Sequence, residues 1–227
     1  NSESARAEDR PICQETGMTI IFLEVGQDLH LEGGDLTEAI NAGVAKGYTE
    51  GYLRKSVVAE PLFNRVNTQN NTPAIIYTKI VPGDQLRIEL TCKGFGSENK
   101  GGIKMLVPAD GVEGVKKAVL DIIQHASCNP CPPMVVGVGI GGTMDQAAYL
   151  SKRALMRNIT VRNEHPDYAN LENELLEMIN KTGIGPQLGG TTSALAVNIE
   201  WGPTHIAGLP VAVTICCHAC RHAVRVL

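Results

Sequence analysis

The stretch Met18 to Gly26 is dominated by apolar and β-branched residues, which predicts a buried strand entered directly from the turn Pro11-Ile12-Cys13-Gln14-Glu15-Thr16-Gly17. The spacing then changes. Leu36, Ile40, Val44, Tyr48 and Tyr52 recur every four residues and predict a helix from Leu36 to Leu53, with Asp35 or Thr37 as its cap and Arg54 closing it. Thr72 to Ile80 and Gln85 to Cys92 are rich in β-branched residues on either side of Pro82-Gly83-Asp84, a pattern that predicts a hairpin. Gly111 to Ala126 reads as a helix, and Met134 to Ile140 as a strand that follows Cys128-Asn129-Pro130-Cys131-Pro132-Pro133. A helix from Gly141-Gly142-Thr143 to Met156 and another from Tyr168 to Lys181, started by Pro166 and Asp167, precede two strands, Ala194 to Trp201 and Pro210 to Cys217. A short helix is expected over Ala219 to Leu227. With no repeat and no long linker, the pattern predicts a single mixed α/β domain of the α+β kind over residues 1–227, its strands entered from cysteine-bearing turns.

Composition narrows the function. With 227 residues, 43% hydrophobic and 19% charged, the chain can bury a sizeable core. A formal net charge of -4 and no basic run longer than two residues argue against nucleic acid or an anionic membrane as partner. Apolar stretches such as Met134 to Ile140 are far shorter than the roughly 20 residues of a spanning helix, and the polar start, Asn1 to Arg10, does not read as a signal peptide. Seven cysteines, an odd number spread over a mid-sized chain, favour a reducing compartment such as the cytoplasm, where thiols serve as ligands or core residues.

Cys128-x-x-Cys131 and Cys217-x-x-Cys220 offer the ligand types of a four-thiolate zinc site. Zinc ribbons put about 15 to 20 residues between such pairs, whereas here helices and strands intervene. Cys92 and Cys216 read as small hydrophobes within strands. Cys13, Cys131 and Cys217 differ, because each lies where a strand meets a turn. Three thiolates gathered from distant segments suit an iron-sulfur cluster with one iron left without a protein ligand, open as a Lewis acid.

At these residues the chain resembles a known family. Arg10-Pro11-Ile12-Cys13-Gln14-Glu15-Thr16-Gly17, Gly51-Tyr52-Leu53-Arg54-Lys55-Ser56, Gly94-Phe95-Gly96-Ser97-Glu98-Asn99-Lys100, the Cys131-Pro132-Pro133 turn, and Gly202 to Pro210 followed by Cys217-His218-Ala219 together resemble the alpha region of the class I fumarate hydratase and tartrate dehydratase family, nearly end to end. The resemblance implies a 4Fe-4S cluster on Cys13, Cys131 and Cys217, and substrate contacts at Gln14, Arg54, Gly96 and His205. On bare chemistry, Arg54 is equally a helix-terminal charge or a planar fork for a dicarboxylate. His205 equally bonds a neighbouring carbonyl, and Gly96 equally serves a turn. The family commonly has aspartate after Cys-Gln, and Glu15, one methylene longer, departs from it; a proton-transfer or hydrogen-bonding role there is expected to change in reach.

The implied reaction is the reversible hydration of fumarate to (S)-malate, with L-tartrate dehydration as the nearest rival and a non-catalytic zinc or thiol-binding module as the rival of another class. The resemblance places the catalytic base in a C-terminal region beyond Leu227. A separate beta subunit is therefore the expected partner, in an α2β2 or similar heteromer, with little activity without it. The family also carries helical sequence before the Pro-x-Cys-Gln turn, so a shortened N-terminus is expected.

Overall fold

The computed structural model describes residues 2–187 and 189–227, with side chains from residue 3 onward. In chain order the elements are α1 (Ser2–Ala7), β1 (Met18–Gly26), α2 (Leu36–Glu50), β2 (Ile75–Val81), β3 (Leu86–Lys93), α3 (Phe95–Glu98), β4 (Gly102–Leu106), α4 (Gly111–Ala126), β5 (Met134–Gly142), α5 (Met144–Ala154), α6 (Pro166–Asn180), β6 (Ala194–Thr204), β7 (Leu209–Cys216) and β8 (His222–Val226). The fold class is mixed α/β. The chain divides into two compact units, Asn1–Gly94 with Ala219–Leu227, and Phe95–His218.

The first unit holds a sheet in the order β2-β1-β3-β8. Ile21 and Leu23 of β1 bury their side chains against Val44 and Tyr48 of α2, the stripe that the four-residue spacing predicts. Asp35 caps α2, its Oδ1 accepting the Glu38 N–H at 2.8 Å. The helix ends at Glu50 with Gly51 as its C-cap, and Tyr52 turns to φ +51°. Arg54 therefore does not close the helix; it lies in the irregular strap that follows.

Two further expectations are corrected here. β2 and β3 do not form a hairpin, because β1 lies between them, parallel to β2 (Ile20↔Ile75) and antiparallel to β3 (Ile21↔Leu90). β1 carries Ile20 and Phe22 buried on one face and Ile21 and Leu23 on the other, so the centre of the sheet is where both faces stay covered and both edges are paired. The C-terminal segment expected as a helix is instead β8, antiparallel to β3 with Glu89↔Val224 in register. A helix that short gains too few hydrogen bonds to offset nucleation, whereas the open edge of β3 offers a ready ladder to the alternating Val224 and Val226.

In the second unit the sheet order is β4-β7-β5-β6. On one face of β5, Met134, Val136 and Val138 join Val119 and Ile123 of α4 and Leu175 and Ile179 of α6 in a continuous core. On the other face Gly137 and Gly139 let α5 approach at backbone distance. A Cβ on Gly137 would lie 2.1 Å from the Ser151 carbonyl oxygen, and one on Gly139 2.0 Å from that of Ala147. Gly139→Ala is expected to cost about 3 kcal/mol, at the upper end of ordinary overpacking, because the obstruction is backbone and cannot rotate away. Urea unfolding reads this as a lowered midpoint; an unchanged midpoint would mean that α5 slides off the sheet freely. Among the described residues no helix is long and apolar enough to cross a membrane.

Candidate active site

In the first unit, the turn that enters β1 gathers a thiol, an amide, a carboxylate and a guanidinium. Gly17 ends it with φ +67°, and a Cβ there would lie 2.3 Å from the Lys93 backbone, so only glycine brings the turn this close to β3. The Gly17 N–H donates to Glu15 Oε1 at 2.6 Å, and the Ser56 hydroxyl donates to the same oxygen at 3.4 Å. Glu15 Oε2 stands 3.8 Å from Arg54 Nη1. Arg221 donates to the Glu15 carbonyl at 2.7 Å. Glu15 is thus an anchored carboxylate, with one oxygen engaged by its own turn and the other facing Arg54. The Glu15 N–H points at Cys13 Sγ from 3.5 Å, and that sulfur also lies 3.5 Å from Gln14 Oε1.

A groove of about 800 Å³ opens beside this turn, bounded by Cys13, Gln14 and Arg54 and by Arg6 and Arg10 from the N-terminal segment. The groove walls are otherwise largely apolar and include one carboxylate, Asp9; the three guanidinium groups set against them suit an anion with more than one carboxylate, since each planar fork can hold a carboxylate through two N–H bonds. Glu8 stands 3.5 Å from Arg10 in an exposed ion pair that water screens.

The second unit carries the other cysteines and Gly96. Cys131 takes a left-handed φ of +58° just before β5 and is exposed. His218, the residue after Cys217, donates its N–H to the Cys131 carbonyl at 3.3 Å and sets Nδ1 3.2 Å from the same oxygen. Antiparallel pairing of β5 with β7 puts Val135 opposite Cys216. Cys131 and Cys217 therefore sit in adjoining loops at one end of the sheet. β4 and β5 both run antiparallel to β7, so α3, which bears Gly96 and leads into β4, enters from that same end. Gly96 has no backbone need to be glycine, and a Cβ there would meet no atom of the chain within 4 Å. The turn explanation for Gly96 loses its support.

His205 is elsewhere. It lies in the turn between β6 and β7, and the eight residues of β7 put it about 23 Å from the Cys216 end at an extended rise per residue. Its Nδ1 accepts the Ala207 N–H at 3.1 Å, which leaves Nε2 to carry the proton of the neutral ring and to donate outward. The neighbouring bond it makes is to an amide, not to a carbonyl.

Of the seven thiols only that of Cys216 is packed away in a core; the other six keep some exposure. None of the seven cysteines is in a disulfide; Cys13 and Cys217 are half-buried and Cys131 exposed, whereas Cys216, one residue away from Cys217, is buried within β7. Cys131 and Cys217, in adjoining loops of the second unit, and Cys13, on the turn that enters β1 in the first, are each accessible enough to serve as thiolate donors of the type an iron-sulfur group takes. Among the described residues no three His, Cys, Asp or Glu side chains stand grouped around a common metal position. Of the zinc-type pairs, Cys220 belongs to the first unit, with its Sγ 3.1 Å from His222 Nε2.

Sequence reading assigns no site role to Tyr48, Ser56, Asn71 and Arg221, which hold the Glu15 turn, or to Arg6 on the groove, and Arg10 enters it only as the first residue of the Cys13 motif. Ser56 is visible only as part of the quoted Arg54 segment. Asn71 lies within the polar run Asn67-Thr68-Gln69-Asn70-Asn71-Thr72, and its φ of +62° is the kind of position where asparagine is favoured.

Comparison with known proteins adds the following. The model of a family described as fumarate hydratase (Fumerase) matches residues 1–226. A protein of Methanocaldococcus jannaschii, provisionally named L(+)-tartrate dehydratase subunit alpha, is 44% identical over 232 residues, covering 99% of this chain and 81% of its own length. The L(+)-tartrate dehydratase subunit alpha of Escherichia coli strain UTI89 is 37% identical over 226 residues, covering 97% of this chain and 74% of its own.

Proposed function

This chain belongs to the fumarate hydratase (Fumerase) family, and on that premise we propose that residues 1–227 are the alpha-subunit domain of a cytoplasmic 4Fe-4S hydro-lyase that reversibly hydrates fumarate to (S)-malate. The observation that carries this reading is the turn itself: Cys13, Gln14 and Glu15 in one hydrogen-bonded turn, tied to Arg54 by the Thr16 hydroxyl and a Glu15 ion pair, beside a groove that three arginines line. A cluster held by Cys13, Cys131 and Cys217 would supply, when bound, a Lewis-acidic iron that polarises the departing hydroxyl.

The chain's own residues account for binding and orientation. Arg54 takes a substrate carboxylate, Gln14 presents its amide beside Cys13, and Glu15 fixes the guanidinium and holds a carboxylate beside the substrate for hydrogen bonding or proton relay, the abstracting base being supplied by the partner. Gly96 leaves room for substrate at the cysteine end of the second sheet. His205 keeps Nε2 as an outward donor at the opposite end of β7, so within this chain it does not reach the site that Cys131 and Cys217 border. A beta subunit completes the site with the base, in an α2β2 or similar heteromer; the relatives' names as alpha subunits support a partner of this kind.

Those same names favour a second reading, L-tartrate as substrate. Anaerobic reconstitution of the chain with its candidate beta subunit, assayed on fumarate, (S)-malate and L-tartrate, separates the two. Turnover of fumarate and malate is expected, and turnover of tartrate alone overturns the fumarate reading. The chain by itself is expected to run at less than about a hundredth of the complex, because a general base contributes roughly 10²–10⁴-fold. Full activity without any second chain would refute the split site.

A further inference from the structure

Behind the Glu15 turn lie two buried side chains that touch neither the groove nor any cysteine proposed as a ligand. Asn71 is fully buried, and both ends of its amide are used. Its Oδ1 accepts the N–H groups of Ser56 at 2.6 Å and Val57 at 3.2 Å, on the strap just after Arg54. Its Nδ2 donates to the Gly17 carbonyl at 3.0 Å, on the turn that bears Cys13 and Glu15. Tyr48, from the buried face of α2, donates its hydroxyl to the carbonyls of Thr16 at 2.8 Å and Gly17 at 3.1 Å. The Thr16 hydroxyl in turn donates to the Arg54 carbonyl. Strap and turn are 38 residues apart in sequence between Thr16 and Arg54, and they have no strand ladder in common.

We propose that Asn71 and Tyr48 are positioning residues, a buried latch that sets where Arg54 stands relative to Glu15 and Cys13. The reasoning is geometric. A strap and a turn in irregular structure have no regular hydrogen bonds to set their spacing, and a shift of about 1 Å at a substrate-binding group is enough to lose much of its rate contribution. Buried bonds can hold that spacing because breaking them strands polar groups away from water. Burial, together with the neighbouring Cys92 thiol, pushes the Tyr48 hydroxyl up to about 12, so it remains a donor throughout the working pH range. Asparagine also tolerates the left-handed backbone that aims its amide inward.

The inference rests on the hydro-lyase reading for its kinetic part only. Two mild variants test it in the full chain: Tyr48→Phe, which removes a single oxygen, and Asn71→Gly, which keeps the positive φ while deleting the amide. In the reconstituted complex each is expected to lower kcat/KM by about tenfold, and by less than about twofold when Arg54 is already alanine, since a latch that acts through Arg54 has nothing left to position. In cluster-free protein, alkylation of Cys13 by iodoacetamide, followed by peptide mass spectrometry, is expected to quicken at least about threefold while that of Cys131 stays constant. Equal losses with and without Arg54, or parallel acceleration at Cys13 and Cys131, would reduce the pair to general structural support and overturn the proposal. Should the wild-type complex turn over none of fumarate, malate and tartrate while Cys13 still responds alone, the hydro-lyase reading falls and the latch stands.

Discussion

Arg54→Ala is expected to lower kcat/KM for the dicarboxylate by at least about a hundredfold with little change in the unfolding midpoint. A hydrogen bond to a charged group contributes roughly 1.5–3 kcal/mol, and a guanidinium makes two to one carboxylate; each 1.36 kcal/mol is a factor of ten in rate. Arg54 suits this role because its side chain is 58% exposed on the groove yet oriented by Glu15 at 3.8 Å. Its structural duties are carried by the backbone, whose carbonyl accepts the Thr16 hydroxyl and survives the substitution. Arg54→Lys is expected to recover only part of the loss, since an ammonium is a point charge without the planar fork. Steady-state kinetics of the complex with both variants, alongside thermal melts, measures this. Activity of the alanine variant within threefold of wild type would remove Arg54 from the substrate cradle.

Glu172→Ala carries the largest expected effect on stability, a loss of about 3 kcal/mol, because it removes the wholly buried member of an ion pair and leaves Arg157 only the more exposed Glu200 carboxylate at 3.4 Å. Glu172 is wholly buried on α6. Its Oε1 accepts from Arg157 Nη2 at 2.5 Å and from the Ile199 N–H of β6 at 2.8 Å; its Oε2 accepts the Asn163 N–H at 3.0 Å and faces Arg162 Nη1 at 3.9 Å. Alanine would abandon the buried Ile199 amide on β6 and leave Arg157 with Glu200 as its remaining carboxylate partner. Glu172→Gln keeps an acceptor and is expected to lose less. Equilibrium urea unfolding of both variants decides, and a loss below about 1 kcal/mol for alanine would show that water reaches the network.

Local elements were readable from the chain where side-chain period and capping agree. The stripe Leu36, Ile40, Val44 and Tyr48 gives α2, Asp35 caps it, and the run from Met18 gives β1, because these signals depend on near neighbours alone. α4 is read with the same ends as observed, from Gly111 to Ala126. Pairing was not readable. Pro82-Gly83-Asp84 looks like a hairpin turn, yet it joins strands on opposite sides of β1, and β8 is a strand only because β3 has a free edge. β4 was missed: it is an exposed edge strand of five residues whose only buried partner is β7.

For the candidate site, the sequence by itself offered Cys13, Gln14, Glu15, Arg54, Gly96, Cys131, His205 and Cys217 as candidates and pointed to the family, because identity and spacing of residues within short motifs survive without coordinates. The family match over residues 1–226 bears out the family. Tertiary structure alone decided how those groups meet. It placed Arg54 beyond the end of α2 and opposite Glu15, drew Cys131 beside the Cys217 loop through His218, set His205 at the far end of β7, and supplied Asn71 and Tyr48 behind the turn. These contacts join residues tens of positions apart, and no local pattern encodes them: they depend on which strand edges pair and on which buried polar groups must find partners once water is gone.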